Sequence, residues 1–360
     1  MARICVASLL ASIATYCFPA YCLPAAAKVI SRTPKKTLKV YVSSSYLMVG
    51  GFWDAIARSF EKKSDCELKA IAFENPASLL RQLRTDNRSS AQVVIGADRI
   101  RWNEFRDFAE PSDGWVAKGS DRLKPELMVP EKFLPIAYSY LTFLADREHL
   151  KRLGLTEPRE LADLLQPEWR HQFIVEDAKS SSAGLALLLY SHTTVRYNTW
   201  IFWRRLKSQW LTLAPDDQTA LQAFEHEQAP LVWTYSSREA LYRTKNRSKD
   251  RYHSVELSDG LPINSEGAFL IRGGINNPEE KKLAQSFLEF LISSEVQEKV
   301  ATKLWMYPVR TKVALPSEYL GVIEPARIFY LDRPGLEVKN VLSKWDAMLT
   351  NGINGIPEGN

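Results

Sequence analysis

Three consecutive serines, Ser180, Ser181 and Ser182, stand where a polar turn gives way to the apolar run AGLALLLY (183–190). A helix leaves its first N–H groups without intrahelical partners, and a serine oxygen can accept a hydrogen bond from the second or third of them. One serine suffices for that cap. The alternative is an anion seat, in which hydroxyls, bare N–H groups, the positive end of the helix dipole and Lys179 act together. A second polar strip, Tyr235-Ser236-Ser237-Arg238, follows the apolar LVWT (231–234). An arginine fork beside serines suits phosphate or carboxylate.

Motifs for covalent or redox chemistry do not accompany these groups. SSSAG lacks the first glycine of the G-x-S-x-G nucleophile elbow, and neither a P-loop, a dinucleotide fingerprint nor HExxH occurs. His149, His171, His192, His226 and His253 are scattered singly, which is no ligand spacing. Glu74 and Asp177 stand at strand ends where a general acid or base would, and there salt-bridge or capping roles compete. The expectation is a binding protein without catalysis, bound cofactor or metal.

The chain of 360 residues opens with MARICVASLLASIATYCFPAYCLPAAAK, in which a basic start, an apolar core and small residues before Lys28 describe a secretory signal peptide over 1–27. Acylation at Cys22 is the alternative export route, with the bulky Tyr21 against it. The apolar core is shorter than the roughly 18–20 residues of a membrane span. Cys5, Cys17 and Cys22 fall in the leader, leaving Cys66 alone, and a remainder of about 330 residues buries a core without disulfides. A net charge of +5, with no stripe of Lys and Arg, argues against nucleic acid as partner.

The elements that must position the serines read as an alternation. LKVYV (38–42), ELKAIAF (67–73) and QVVIGA (92–97) have strand character, and FWDAIARSFEKK (52–63) and ASLLRQLRTD (77–86) are amphipathic helices. Alternation of this kind builds a parallel sheet with helices on its faces, and ligands bind beyond the carboxyl ends of its strands. Those ends carry Ser43, Ser44, Ser45 and Tyr46, then Glu74 and Asn75, then Asp98. The extended FLPIAYSYLTFLAD (133–146), a helix near 157–165, the strand FIVED (173–177), the serine-capped helix and LVWTYSS (231–237) repeat the pattern as a second lobe. VELSDGLPINSEGAFLI (255–271) is extended again, and 278–301 reads as one helix with Asn277 as cap and Pro278 in its first turn. Two long extended segments flanking the middle lobe predict two crossovers and a hinge.

LWMYPVRT (304–311), with ELKAIAFENPASLLRQLR (67–84), the serine-capped helix and LVWTYSS, resembles the periplasmic thiamine-binding proteins of bacterial ABC importers, in the same order from about Leu38 to Trp345. KKLAQSFLEFLISSEVQEKV (281–300) is similar to the larger cluster carrying ferric iron, sulfate, polyamines and thiamine. The resemblance implies an α/β, two-lobe type II periplasmic binding fold with a hinge of two crossing segments. Lobe 1 would take 37–135 and 266–350, and lobe 2 would take 136–265. It further implies a periplasmic monomer that captures thiamine or a phosphorylated thiamine and docks on an inner-membrane ABC permease served by a separate ATPase. Alternatives on the same fold are a phosphate ester, a polyamine or a ferric complex, for which no adjacent Tyr-Tyr pair appears, or a non-transport sensor or adaptor.

Carried over residue by residue, the resemblance places Ser181 and Ser182 at a phosphate or hydroxyl seat, Tyr235, Ser236 and Ser237 on a second contact strip, and Trp305 at the family's Trp. Asn75 stands where an acidic residue would bond the aminopyrimidine, and Arg238 where a small residue sits. Gly50 and Asp217 occupy positions of two family tryptophans. Each missing aromatic face removes a cation–π partner worth about 0.5–2 kcal/mol to a thiazolium ring. Trp53, Trp210 and Trp233 are near enough in sequence to substitute. Trp102, Trp115, Tyr138 and Tyr140 either line the crevice or belong to the core.

Overall fold

Leu38, Val40 and Val42 share one face of the first strand and are buried, and Tyr41 on the other face is buried too, as in a sheet covered on both sides. The structure, a computed structural model, describes residues 36–48, 51–86, 90–129, 132–195, 198–245, 250–332 and 337–350. The leader expected over 1–27 and the position of Gly50 lie outside the described residues.

From β1 (Lys36–Ser43) the chain runs through α1 (Ser44–Met48) and α2 (Phe52–Ser64) to β2 (Cys66–Phe73), then α3 (Pro76–Thr85), β3 (Val93–Asp98) and the one-turn α4 (Trp102–Phe105). β1 lies between β2 and β3, parallel to both. The long β4 (Leu134–Asp146) leads to α5 (Arg147–Leu153), β5 (Phe173–Glu176), α6 (Ser182–Thr194), α7 (Thr199–Leu206) and β6 (Thr212–Ala214). α8 (Asp217–Glu225), β7 (Leu231–Tyr235), α9 (Arg238–Lys245) and β8 (Tyr252–Ser254) follow. β5 is parallel to β6 and β7, so the second lobe repeats the parallel motif. β9 (Leu261–Leu270) returns the chain to the first lobe, where α10 (Pro278–Leu291) and α11 (Ser294–Lys299) complete it. β10 (Tyr307–Pro308), β11 (Ile328–Tyr330) and α12 (Val338–Thr350) close the chain.

β4 and β9 join the halves. β4 pairs antiparallel with β9 from Leu134 to Tyr140 and with β7 from Leu141 to Ala145, while β9 pairs antiparallel with β3. The sheet expected to be parallel is therefore mixed, because the two strands that cross between lobes run against their neighbours.

Three local expectations change. The helix near 157–165 is a 3-10 turn over Leu161–Leu165, and the regular helix lies earlier in α5, where Asp146 caps the start and Gly154 ends it in the left-handed region at φ 69°. The helix over 278–301 breaks at Ile292, and Ser293 starts α11. The boundaries drawn from the sequence put 266–350 in the first lobe, but α12 packs on the second. There the Trp345 ring meets Trp203 edge-on at 4.8 Å, and Lys207 donates to the Leu349 carbonyl at 2.6 Å.

α6 is buried along Ala183–Ser191, hydrophobic on every face, and so passes through the core. Each leucine fully buried there contributes about 1.5–3 kcal/mol. Gly184 lets the helix start press on β5, since a Cβ there would stand 2.3 Å from the Glu176 carbonyl oxygen. That contact fixes the distance between the serine run and the carboxyl end of β5.

Candidate functional site

Ser181 caps α6, its hydroxyl oxygen accepting from the Gly184 N–H at 3.1 Å. The same hydroxyl donates to the Glu176 carboxylate at the end of β5. Ser182, one residue on, donates to Asp98 at the end of β3 in the other lobe. Asp98 also accepts from Asn264 Nδ2 at 2.9 Å, and that amide reaches the Tyr235 hydroxyl at 3.2 Å. Strand ends from both lobes and the middle of β9 thus meet at the start of α6. Ser181 is thus the cap that the first sequence reading expected, and Ser181 and Ser182 face carboxyls where the second expected an anion.

Two more carboxyls stand in the same place. Glu266 is two residues beyond Asn264 and shares its side of β9, because side chains alternate along a strand. Asp217, at the start of α8, accepts from Thr234 Oγ1 at 2.7 Å and from Arg238 Nη2 at 2.7 Å. Five buried polar atoms of this cluster lack a hydrogen-bond partner among the described residues: Tyr46 OH, Glu176 Oε1, Arg238 Nε, Asn264 Oδ1 and Glu266 Oε2. Buried polar groups left unpaired are uncommon and ask for a reason. Among the described residues no three His, Cys, Asp or Glu side chains meet as a metal site would require.

The crowding of acids shifts their protons. Burial, then the charge of Asp98, pushes Glu266 up to about 8. Burial, with Asp217 adding to it, raises Glu176 well above the usual carboxylate range. Asp98 is raised by burial even though Ser182, Asn264 and Arg101 favour its charge. Burial alone would lower Arg238, but Asp217 overcomes that and holds its charge. Burial, then Glu266, raises Tyr46, while burial, then Asp98 and Glu266, raises Tyr235. Four carboxyls therefore share this place with Arg238 and Arg101, and burial favours the protonated form of three of them, Asp98, Glu176 and Glu266.

The remaining residues singled out from sequence are placed as follows. Ser44 donates weakly to the Glu74 carbonyl at 3.4 Å, and Ser45 meets Ser43 at 2.9 Å between hydroxyls. Glu74 is exposed, and Asn75 caps α3, its Oδ1 accepting from the Ser78 N–H at 2.9 Å. Ser180 donates to the Pro215 carbonyl at 2.5 Å. Ser236 and Ser237 are buried and tie the β7–α9 turn to β4: the Ser236 N–H donates to the Tyr140 carbonyl at 2.8 Å, and the Ser237 hydroxyl meets Ser139 at 2.9 Å. Trp305 is half-buried, in the left-handed region at φ 56°, just after the π-turn over Val300–Leu304.

Several aromatics belong to the core. Trp53 packs on Phe287, Trp102 on Phe133 and Phe269, and Trp210 on Trp203 and Trp345. Trp233 is fully buried, donating to the Ala183 carbonyl at 2.9 Å, and Trp115 is half-buried against the core. Tyr138 and Tyr140 take the opposite face of β4 from Ser139, with Tyr138 stacked on Tyr307 at 5.3 Å. That stack borders a depression of about 140 Å³, and a larger one of about 690 Å³ lies around Phe60, Lys63 and Arg310. Neither depression is lined by a member of the acidic cluster.

The residues that sequence reasoning left out of the site are Glu176, Asn264, Glu266 and Arg101, while Asp98 was named there as a strand end without a role. Asp98 and Glu176 end apolar strands, and Asn264-Ser265-Glu266 interrupts an otherwise apolar strand, which are the signals that pointed to them. Arg101 is 2% exposed, pairs with Glu104 and reaches across to the loop before α6.

Residues 108–322 match the family model described as bacterial extracellular solute-binding protein. The chain is 30% identical over 298 residues to the thiamine-binding periplasmic protein of Escherichia coli, covering 81% of this chain and 86% of that one. It is 29% identical over 296 residues to the thiamine-binding periplasmic protein of Salmonella typhimurium, with the same coverage. A solved structure described as a periplasmic thiamin binding protein superposes with a TM-score of 0.75 at 26% identity, covering 90% of this chain and 97% of its own.

Proposed function

The chain belongs to the bacterial extracellular solute-binding protein family, and from that premise we propose that it captures thiamine, free or phosphorylated, between its lobes for import. Its architecture, two α/β lobes joined by the crossing strands β4 and β9, is the type II periplasmic binding fold.

The observation that carries the reading is the set of unpaired acceptors, Glu176 Oε1, Glu266 Oε2 and Asn264 Oδ1, buried where groups of both lobes meet. Thiamine brings a permanently cationic thiazolium and an aminopyrimidine with N–H donors, which match those acceptors. Closure of the lobes excludes water and strengthens each contact. In this reading Tyr235 and Trp305 pack on the rings, and Ser181 and Ser182 hold the acids in place. Asn75 has spent its oxygen on a helix cap, so the pyrimidine edge falls to the unpaired acceptors. The protein holds its guest without altering it.

The leader over 1–27 exports the chain to the periplasm, in line with the names of its relatives. Among the described residues no helix is long and apolar enough to cross a membrane. An inner-membrane permease with its own ATPase takes the ligand onward, since this chain carries no nucleotide motif.

Calorimetry on the exported protein, freed of ligand by unfolding and refolding, tests the proposal. Thiamine or a thiamine phosphate at a hundred times its Kd should stabilise the fold by about 2.7 kcal/mol. No heat and no stabilisation with thiamine, its monophosphate or its diphosphate would end it.

A further inference from the structure

Arg101 belongs to the first lobe, in the turn that follows β3, and is buried at 2% exposure. Its charge is met inside that lobe, where Nη1 pairs with Glu104, one turn on, at 3.1 Å. The other terminal nitrogen works across the divide. Nη2 donates to the main-chain carbonyls of Ala178 at 3.0 Å and Lys179 at 3.1 Å, both in the second-lobe loop between β5 and α6. None of these bonds goes to Glu176, Asn264 or Glu266, whose unpaired oxygens are offered to a guest. Opening the lobes breaks the two carbonyl bonds and leaves the pair with Glu104 in place. What Arg101 adds to closure is therefore two charge-assisted hydrogen bonds, made without stranding a charge when they part.

We propose that Arg101 is a positioning residue of capture: it touches no guest, yet by tying the lobes together beside the serine run it sets how long captured thiamine stays. The inference rests on the reading of the ligand as thiamine and adds to it a residue and a rate. A guest enters and leaves through the open form, so bonds made only on closure slow its departure and leave its arrival nearly unchanged. Lysine at that place keeps a charge for Glu104. Its single ammonium cannot serve a carboxylate and two carbonyls with the planar geometry of the fork.

The test is stopped-flow binding and chase of thiamine on the exported protein, unaltered and with Arg101→Lys or Arg101→Gln. Either variant should release thiamine about tenfold faster, with association within about threefold of the unaltered protein. A loss of folded protein alone would lower the number of sites and leave the rate constant of release where it was. Glu104→Gln disturbs the same guanidinium inside its own lobe and should leave release within about twofold. Release from a folded Arg101 variant at the unaltered rate overturns the proposal and leaves thiamine capture standing. So does a Glu104→Gln variant that releases as fast as Arg101→Lys, since loosening of the first lobe would then be the cause. One folded variant of the two at Arg101 suffices for the decision. If the unaltered protein takes up no thiamine, the ligand reading falls and this inference with it.

Discussion

The Arg101 guanidinium, rooted beyond β3 in the first lobe, donates to the carbonyls of Ala178 at 3.0 Å and Lys179 at 3.1 Å in the second. Two carbonyls and the Glu104 carboxylate use the planar fork as a lysine could not. The loop they hold carries Ser180, Ser181 and Ser182, so this latch and the Ser182–Asp98 bond act on the same few residues.

Arg101→Ala should therefore destabilise strongly. It strands Glu104, whose side chain is 9% exposed, and unpins the loop before α6. Removing one partner of a buried pair costs about 3–5 kcal/mol. Arg101→Lys should lose less, because it keeps the charge. Urea unfolding of the two variants checks the order, and an alanine variant within about 1 kcal/mol of the parent would show the latch to be idle.

The acids make both stability and binding depend on pH, with opposite signs. Glu266 faces Tyr46 of α1, Asp98 of β3, Asp217 of α8 and Arg238 of α9, and stands at about 8 against an ordinary 4.5. Between those values the folded chain holds a proton that the unfolded chain has released. Its contribution to stability is complete below the unfolded value and is lost as pH rises through the folded one. Melting of the ligand-free protein should thus fall from about pH 5 toward about pH 8, within the range those two values set, and Glu266→Gln should flatten the slope. A cationic guest favours the ionised acids, so thiamine affinity should rise over the same interval and binding should release protons. Calorimetry in buffers of different ionisation heat reads that release directly.

Much of the scaffold was legible because its signals are local. The partly alternating apolar residues of β1 and the continuous apolar run of β3 are strand signals in themselves, and Asn277-Pro278 marks the start of α10. The cap at Asn75 was equally local: Asn75-Pro76 followed by Ser78 is a helix start, and family resemblance drew attention from it toward a ligand role. Glu176 and Glu266 were not legible as a pair. Their burial depends on how closely the lobes approach, and no spacing in one strand records a distance to another. The same holds for α12, whose amphipathic face is satisfied by either lobe. Only the slot between Trp203 and Trp210 decides for the second.

That last helix is more than a terminal appendage. Trp345 is fully buried, and its Nε1 donates at 2.8 Å to Asp177, the residue that follows Glu176 and begins the serine loop. Lys179, in the same loop, pairs with Asp346 on the same helix. Trp345→Ala should remove both packing and bond, at about 3–5 kcal/mol for the ring. Trp345→Phe keeps most of the packing and loses the donor, which should cost about 0.5–1.5 kcal/mol, because the Asp177 Oδ1 still accepts from the Lys179 N–H at 3.0 Å. If α12 sets the loop as well as the core, the phenylalanine variant will weaken thiamine binding several-fold while remaining folded. Denaturation and calorimetry on the same sample separate the two effects. Unchanged affinity in a destabilised Trp345→Phe would confine the helix to a packing role.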